Sequence, residues 1–168
     1  PLVPLRQSSG SKKARHLSAL QGKAGARSYC PPEGRNPPAK YLLQKRQNTG
    51  FADGMWDFSA SGHVEKDEPM IRTVCREAKE EIGIDVNPEK IEFMGLIHEF
   101  GNDRVPRFLG CFRISDYSGE VKIGEPEKIA ELKWFDEGEL PENIISSRKV
   151  ALDYFKGEEV FYKELGWH

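Results

Sequence analysis

The sequence predicts a domain of the α/β or α+β class, and three observations carry the prediction. Short apolar runs recur between residues 41 and 135, each closed by turn-forming residues, as strands require. Two longer stretches, 69–82 and 147–155, instead repeat apolar residues at helical spacing. No segment repeats another, so strands and helices interleave once along the chain.

The elements follow in order. Tyr41, Leu42 and Leu43 read as a strand running into Gln44, Lys45 and Arg46. Asn48, Thr49 and Gly50, then Asp53 and Gly54, are turn chemistry, after which Trp56 and Phe58 open a second strand. Ser59, Ala60, Ser61 and Gly62 read as a small-residue loop. A helix over 69–82 follows, with Asp67 or Glu68 as its cap, Pro69 in its first turn and Gly83 as a left-handed stop. Residues 91–99 and 108–114 alternate as strands, and 131–135 form a shorter one. Leu140, Pro141, Glu142 and Asn143 turn the chain into a helix over 147–155 that ends at Gly157.

Charge divides the chain of 168 residues into two parts. Residues 1–39 carry a net charge of +6 and six of the eleven prolines, whereas 40–168 carry −8. The first part has neither a strand nor a helix period, so it is expected to be a disordered basic tail, with the domain proper beginning at Lys40. A helix over 17–26 docked on the sheet is the competing arrangement. The whole-chain balance of −2 opposes a strongly basic nucleic-acid binder, and nucleic acid is not an expected partner. No run approaches the ~18–20 apolar residues of a membrane span, and no secretory signal is expected. Cys30, Cys75 and Cys111 are odd in number and far apart, which fits a reducing, cytoplasmic compartment.

The chemistry sits on the first helix. At about 100° per residue, Glu77, Glu80 and Glu81 fall within an arc of ~100°. Ile71, Val74, Cys75, Ala78 and Ile82 take the neighbouring arc and form a burying face. Like charges at these spacings repel by a few tenths of a kcal/mol per pair when exposed. An acidic cluster of this kind is either a solvated face or a site for a hard divalent cation.

The spacing around the cluster bears on that choice. Gly62, five residues, Glu68, seven residues, then Arg76, Glu77, Ala78, Lys79, Glu80, Glu81, Ile82, Gly83 and Ile84 reproduce the Nudix signature GX5EX7REUXEEXGU. The chain therefore resembles a Nudix hydrolase from about Lys40 to Phe155. The resemblance implies an α/β/α sandwich around a mixed β-sheet; the amino-terminal segment is expected to be irregular on its composition alone. It implies that Glu77, Glu80 and Glu81 hold Mg2+, with Mn2+ as the alternative, and that Glu68 pairs with Arg76 to brace the loop. Gly62 and Arg46 are the expected substrate-binding positions, Arg46 toward phosphate and Gly62 through a tight loop. Glu80, Glu81 and Glu125 are the catalytic candidates; Glu125 and Glu127 both lie where relatives place a further loop acid that accepts a proton, and Glu125 is the favoured one.

The implied reaction is hydrolysis of a phosphoanhydride bond in a nucleoside diphosphate linked to another group X. The substrate would be a small molecule. Two alternatives belong to other classes: an isomerase of prenyl diphosphates, which needs a reactive cysteine, and a Nudix-fold nucleotide sensor without turnover. Asp57 and His63 are read as loop-packing residues, Cys75 and Cys111 as core. The sequence departs from the family just upstream, where four prolines in 31–39 oppose the expected apolar strand. One sheet edge is therefore expected to be short, and an uncovered edge is a surface for homodimerisation.

Overall fold

The computed structural model describes residues 15–22, 39–101, 104–155, 157 and 159–167. Its strands are β1 (Arg15–Gly22), β2 (Lys40–Arg46), β3 (Trp56–Phe58), β4 (Ala60–His63), β5 (Asp85–Val86), β6 (Ile91–Phe100), β7 (Pro106–Ile114), β8 (Tyr117–Ser118), β9 (Ile129–Asp136) and β10 (Phe161–Leu165). Two α-helices, α1 (Met70–Ile82) and α2 (Ser146–Tyr154), complete it. The main sheet runs β10-β6-β7-β1-β2-β3, with β4 also on β1 and β9 on β2. It is mixed: β1 lies parallel to β7, and β10 to β6, while the other pairs are antiparallel.

The period-2 alternation of β2 builds the sandwich. Tyr41 and Leu43 point to one face, where they join Phe58, Ile97, Leu109, Leu152 and Phe155 beneath α2. Leu42 points to the other, with Ala60, Val74, Ala78, Ile82, Phe112 and Ile114 beneath α1. The same alternation sends Gln44 to the α1 side, where it meets the box helix.

Gly83 ends α1 as expected, in the left-handed region at φ 77°. The amino-terminal cap differs. Pro69 occupies that position without a side-chain cap, because the Glu68 carboxylate is turned onto Thr73 and Arg76. The segment after β8 then docks on the end of α1, with Lys122 N–H donating to the Ile82 carbonyl (3.1 Å) and Gly124 N–H to that of Glu81 (2.8 Å). A Cβ on Gly124 would lie 1.9 Å from the Glu80 carbonyl oxygen, so only glycine permits this approach.

Two expectations need correction. The stretch 15–22 is a strand, neither irregular chain nor the start of a helix, and it lies inside the sheet between β7 on one side and β2 with β4 on the other. The edge expected to be short is thereby filled. Its local pattern is weak, but its backbone groups are paired by neighbours distant in sequence, and such pairing outweighs local propensity. Residues 1–14 and 23–38, the rest of the expected tail, fall outside the described residues. The second correction follows from the first: Ala60, Ser61 and Gly62 form strand β4, because β1 supplies the partner that a loop reading lacked. The short β5–β8 ribbon and β10 are further elements that the sequence reading did not contain.

Candidate active site

The box glutamates are presented by one helix but sit in different surroundings. Glu81 is 7% exposed and Glu77 9%, while the Glu80 side chain is about half exposed. Glu77 lies against β4, where a Cβ on Gly62 would come within 1.8 Å of its Oε1. Gly62 is therefore needed for space, and the tight loop expected at this position is a strand instead.

Arg76 organises the acidic side of the helix. Its Nε and Nη2 fork onto the two Glu68 carboxylate oxygens, each at 3.0 Å. Its Nη1 donates to Glu77 Oε1 (2.8 Å) and Glu80 Oε2 (3.2 Å), and Nη2 also reaches the His63 carbonyl (3.3 Å). Glu68 further accepts from Thr73 Oγ1 (2.7 Å) and Glu65 N–H (3.3 Å). The Arg76 guanidinium, helped by these donors, holds the Glu68 carboxyl down at about 2.

Glu81 has the opposite environment. Its Oε2 accepts from Ser61 N–H (2.7 Å) and the Gln44 amide (3.3 Å), both neutral, and no salt bridge reaches it among the described residues. Burial pushes its carboxyl up to about 8; Glu77, Asp57 and Glu125 add to the rise, and the Ser61 donor opposes it. Glu77 is also raised, first by burial, against the pull of Arg76. One arginine thus faces Glu68, Glu77 and Glu80 while Glu81 stands buried beside them.

Glu77, Glu80 and Glu81 line a cleft of about 610 Å³ with Gln44, Arg46, Phe51, Gly62, His63, Glu125 and Arg148 among its other walls. The donor set fits a hard divalent cation: carboxylate oxygens, partly desolvated and short of positive charge. Among the described residues no three His, Cys, Asp or Glu side chains already converge as a ligand set, and Arg76 lies between Glu77 and Glu80. Glu125 reaches the cleft from the loop anchored by Gly124, paired with Lys128 at 2.7 Å. Glu127 contributes its carbonyl to Asn48 and does not line the cleft.

Arg46 also reaches the cleft, but its guanidinium is held inside the protein. Nη1 donates to Asp57 Oδ2 and Nε to the Phe51 carbonyl, each at 3.0 Å. Asp57 is fully buried, and its second partner is Arg148, whose Nε donates to Oδ1 at 2.7 Å. Sequence reasoning missed Arg148, a buried arginine on α2 that lines the cleft. A signal for it existed: Arg148 precedes the buried Ala151 and Leu152 by three and four residues, which puts it on the burying face.

Comparison with known proteins agrees with this geometry. The model of the NUDIX domain matches residues 30–155, so the chain belongs to the Nudix family. A curated relative, the NAD-capped RNA hydrolase NudC of Stutzerimonas stutzeri (strain A1501), is 29% identical over 138 residues, covering 74% of this chain. The chain spans about half (47%) of that relative's length. Among solved structures, a MutT NUDIX hydrolase from Burkholderia pseudomallei superposes with a TM-score of 0.63 at 23% identity, covering 83% of this chain and 97% of its own. The NUDIX domain of Shewanella oneidensis NrtR, crystallised with ADP ribose, gives 0.65 at 16% identity, covering 88% of each. These structural likenesses concern the fold.

Proposed function

We propose that the chain is a pyrophosphohydrolase that cleaves the phosphoanhydride bond of a nucleoside diphosphate linked to another group X. The observation that carries this reading is the buried Glu81, without a salt bridge among the described residues, beside Glu77 in a cleft lined by residues of a complete Nudix signature. Glu77, Glu80 and Glu81 would hold Mg2+, or Mn2+ in its place, with the Gly62 carbonyl as a further oxygen donor. When bound, the cation offsets the charge of the diphosphate and makes a bound water more acidic.

The remaining work falls to the chain. Ser61 N–H and Gln44 fix Glu81 in one orientation. Arg76 keeps Glu68 ionised and, through the His63 carbonyl, ties the end of β4 that carries Gly62 to the helix. Glu125, on the loop anchored by Gly124, accepts the proton of the attacking water and passes it to solvent. Lys128 pairs with it at 2.7 Å and fixes its place on the loop.

Two other readings are weaker. A prenyl-diphosphate isomerase needs a reactive cysteine, yet neither Cys75 nor Cys111 lines the cleft, and burial pushes the Cys111 thiol up to about 12. A sensor without turnover has no use for an intact glutamate set. We place the reaction in the cytoplasm on the strength of cysteine usage, and among the described residues no helix is long and apolar enough to cross a membrane.

The test is a Mg2+-dependent hydrolysis screen over nucleoside triphosphates, ADP-ribose, NAD, nucleotide sugars, dinucleoside polyphosphates and prenyl diphosphates. The curated relative's activity adds NAD-capped RNA, itself a nucleoside diphosphate linked to X, to the set. Release of a nucleoside monophosphate from at least one is expected. Isomerisation of a prenyl diphosphate without any hydrolysis would overturn the proposal.

A further inference from the structure

The cleft contains an aromatic side chain that the hydrolytic mechanism leaves unused. Phe51 lines the same cavity as Glu77, Glu80 and Glu81 and is 48% exposed. A single exposed ring is ordinary on a protein surface. The manner in which this one is held is not.

Phe51 sits in the turn between β2 and β3, which is tied at several points. The Asp53 carboxylate accepts from Thr49 N–H (3.0 Å), Gly50 N–H (3.1 Å) and Thr49 Oγ1 (2.6 Å). The base of the turn closes with Gly54 N–H on the Arg46 carbonyl (2.8 Å). Gln47 and Asn48 extend side-chain donors to the carbonyls of Pro126 (2.7 Å) and Glu127 (3.2 Å), in the loop that carries Glu125. Arg46 fastens the turn to the interior by bonding both the Phe51 carbonyl and the buried Asp57. Its guanidinium carbon also lies over the Phe51 ring, 5.7 Å from the centroid. The result is an aromatic ring supported from within by a cation, braced against two loops, and presented to a polar cleft.

We infer that Phe51 is the stacking surface for the nucleobase of the substrate, and that Arg46 is the residue that positions it. The inference rests on the proposed action on nucleoside diphosphates and specifies which wall receives the base. A cleft whose other walls are mainly charged offers the diphosphate its polar contacts. Phe51 offers a flat apolar face, which suits an aromatic base of either size because every base has a π-face. Arg46 acts differently from the phosphate contact implied by the family resemblance: its hydrogen bonds hold the ring's support.

Isothermal titration of ADP and of inorganic pyrophosphate, each with Mg2+, into the full chain tests this. Pyrophosphate shares the diphosphate and lacks the base. Phe51→Ala should weaken ADP about tenfold, leave pyrophosphate within twofold, and be rescued by Phe51→Tyr. Arg46→Met should also weaken ADP more than pyrophosphate, because loss of the positioning residue releases the ring. Equal losses on both ligands, or ADP affinity unchanged by Phe51→Ala, would overturn the inference. The two proposals fail separately. Phe51-dependent ADP binding in a chain that hydrolyses no phosphoanhydride would remove the enzymatic reading and keep the stacking surface. Nucleotide hydrolysis with Phe51-independent binding would do the reverse.

Discussion

Two arginine–carboxylate centres face the same cleft, and they are built to opposite ends. Around Asp57, one fully buried carboxylate meets two guanidiniums, Arg148 at 2.7 Å and Arg46 at 3.0 Å. Around Arg76 the ratio inverts, with one guanidinium shared by Glu68, Glu77 and Glu80. The first centre satisfies its charge internally, and its Asp57 carboxyl is held below the usual range by the arginines despite the opposing cost of burial. The second retains surplus negative charge; burial raises Glu77 and Glu81, and the neighbouring carboxylates add to the rise. A closed centre supports structure; one left short of positive charge can bind a cation.

The largest expected effect tests the charge-deficient centre. Glu81→Gln and Glu77→Gln should each lower turnover about a hundredfold or more while the far-UV circular dichroism stays unchanged, because each would remove a proposed ligand to the cation. Near-normal rates in purified Glu81→Gln would place Glu81 with the structural carboxylates instead.

The closed centre should fail in the other currency, stability. Arg148→Met removes the main partner of a carboxylate with no exposure to water, a loss of about 3–5 kcal/mol by urea unfolding. A smaller loss would mean that Arg46 alone suffices for Asp57. Arg76→Ala lies between the two: its side chain is a quarter exposed, so unfolding should register about 1–2 kcal/mol, together with reduced activity as Glu68 loses its fork.

The smallest effect is on pH dependence, and its sign separates two carboxylates of the box. Glu81 is raised to about 8, above its unfolded value. Its contribution to stability is complete below pH ~4.5 and is lost as pH rises through about 8. Glu68 is lowered to about 2, so its contribution is present above pH ~4.5 and is lost as pH falls toward 2. The metal-free protein should therefore lose Tm between pH 5 and 8 relative to Glu81→Gln, as read by differential scanning calorimetry. Identical slopes would show that burial of Glu81 is relieved by water.

What was legible in the sequence was what local spacing determines. The helix carrying Glu77, Glu80 and Glu81, the stop at Gly83 and the eight-residue step from Glu68 to Arg76 depend on residues close in the chain. What was not legible depends on partners far away. Strand β1 is defined by its pairing with β7, β2 and β4, and β4 exists as a strand because β1 lies beside it. Asp57 and Arg148 are 91 residues apart, and neither shows in its own neighbourhood that the other will neutralise it. Arg46 illustrates the limit best. The family resemblance implies a phosphate contact for it, and only the tertiary structure reveals that Asp57 and the Phe51 carbonyl hold it.

The central claim is that the centre around Arg76 and Glu81 binds a divalent cation because its own charges do not balance. Titration of Mn2+ into the metal-free protein, followed by the electron paramagnetic resonance signal of the free ion, tests it without any assumption about substrate. Saturable binding in the wild type, weakened at least about tenfold in Glu81→Gln with the fold intact, is the predicted result. Equal affinity in the two proteins would contradict the claim.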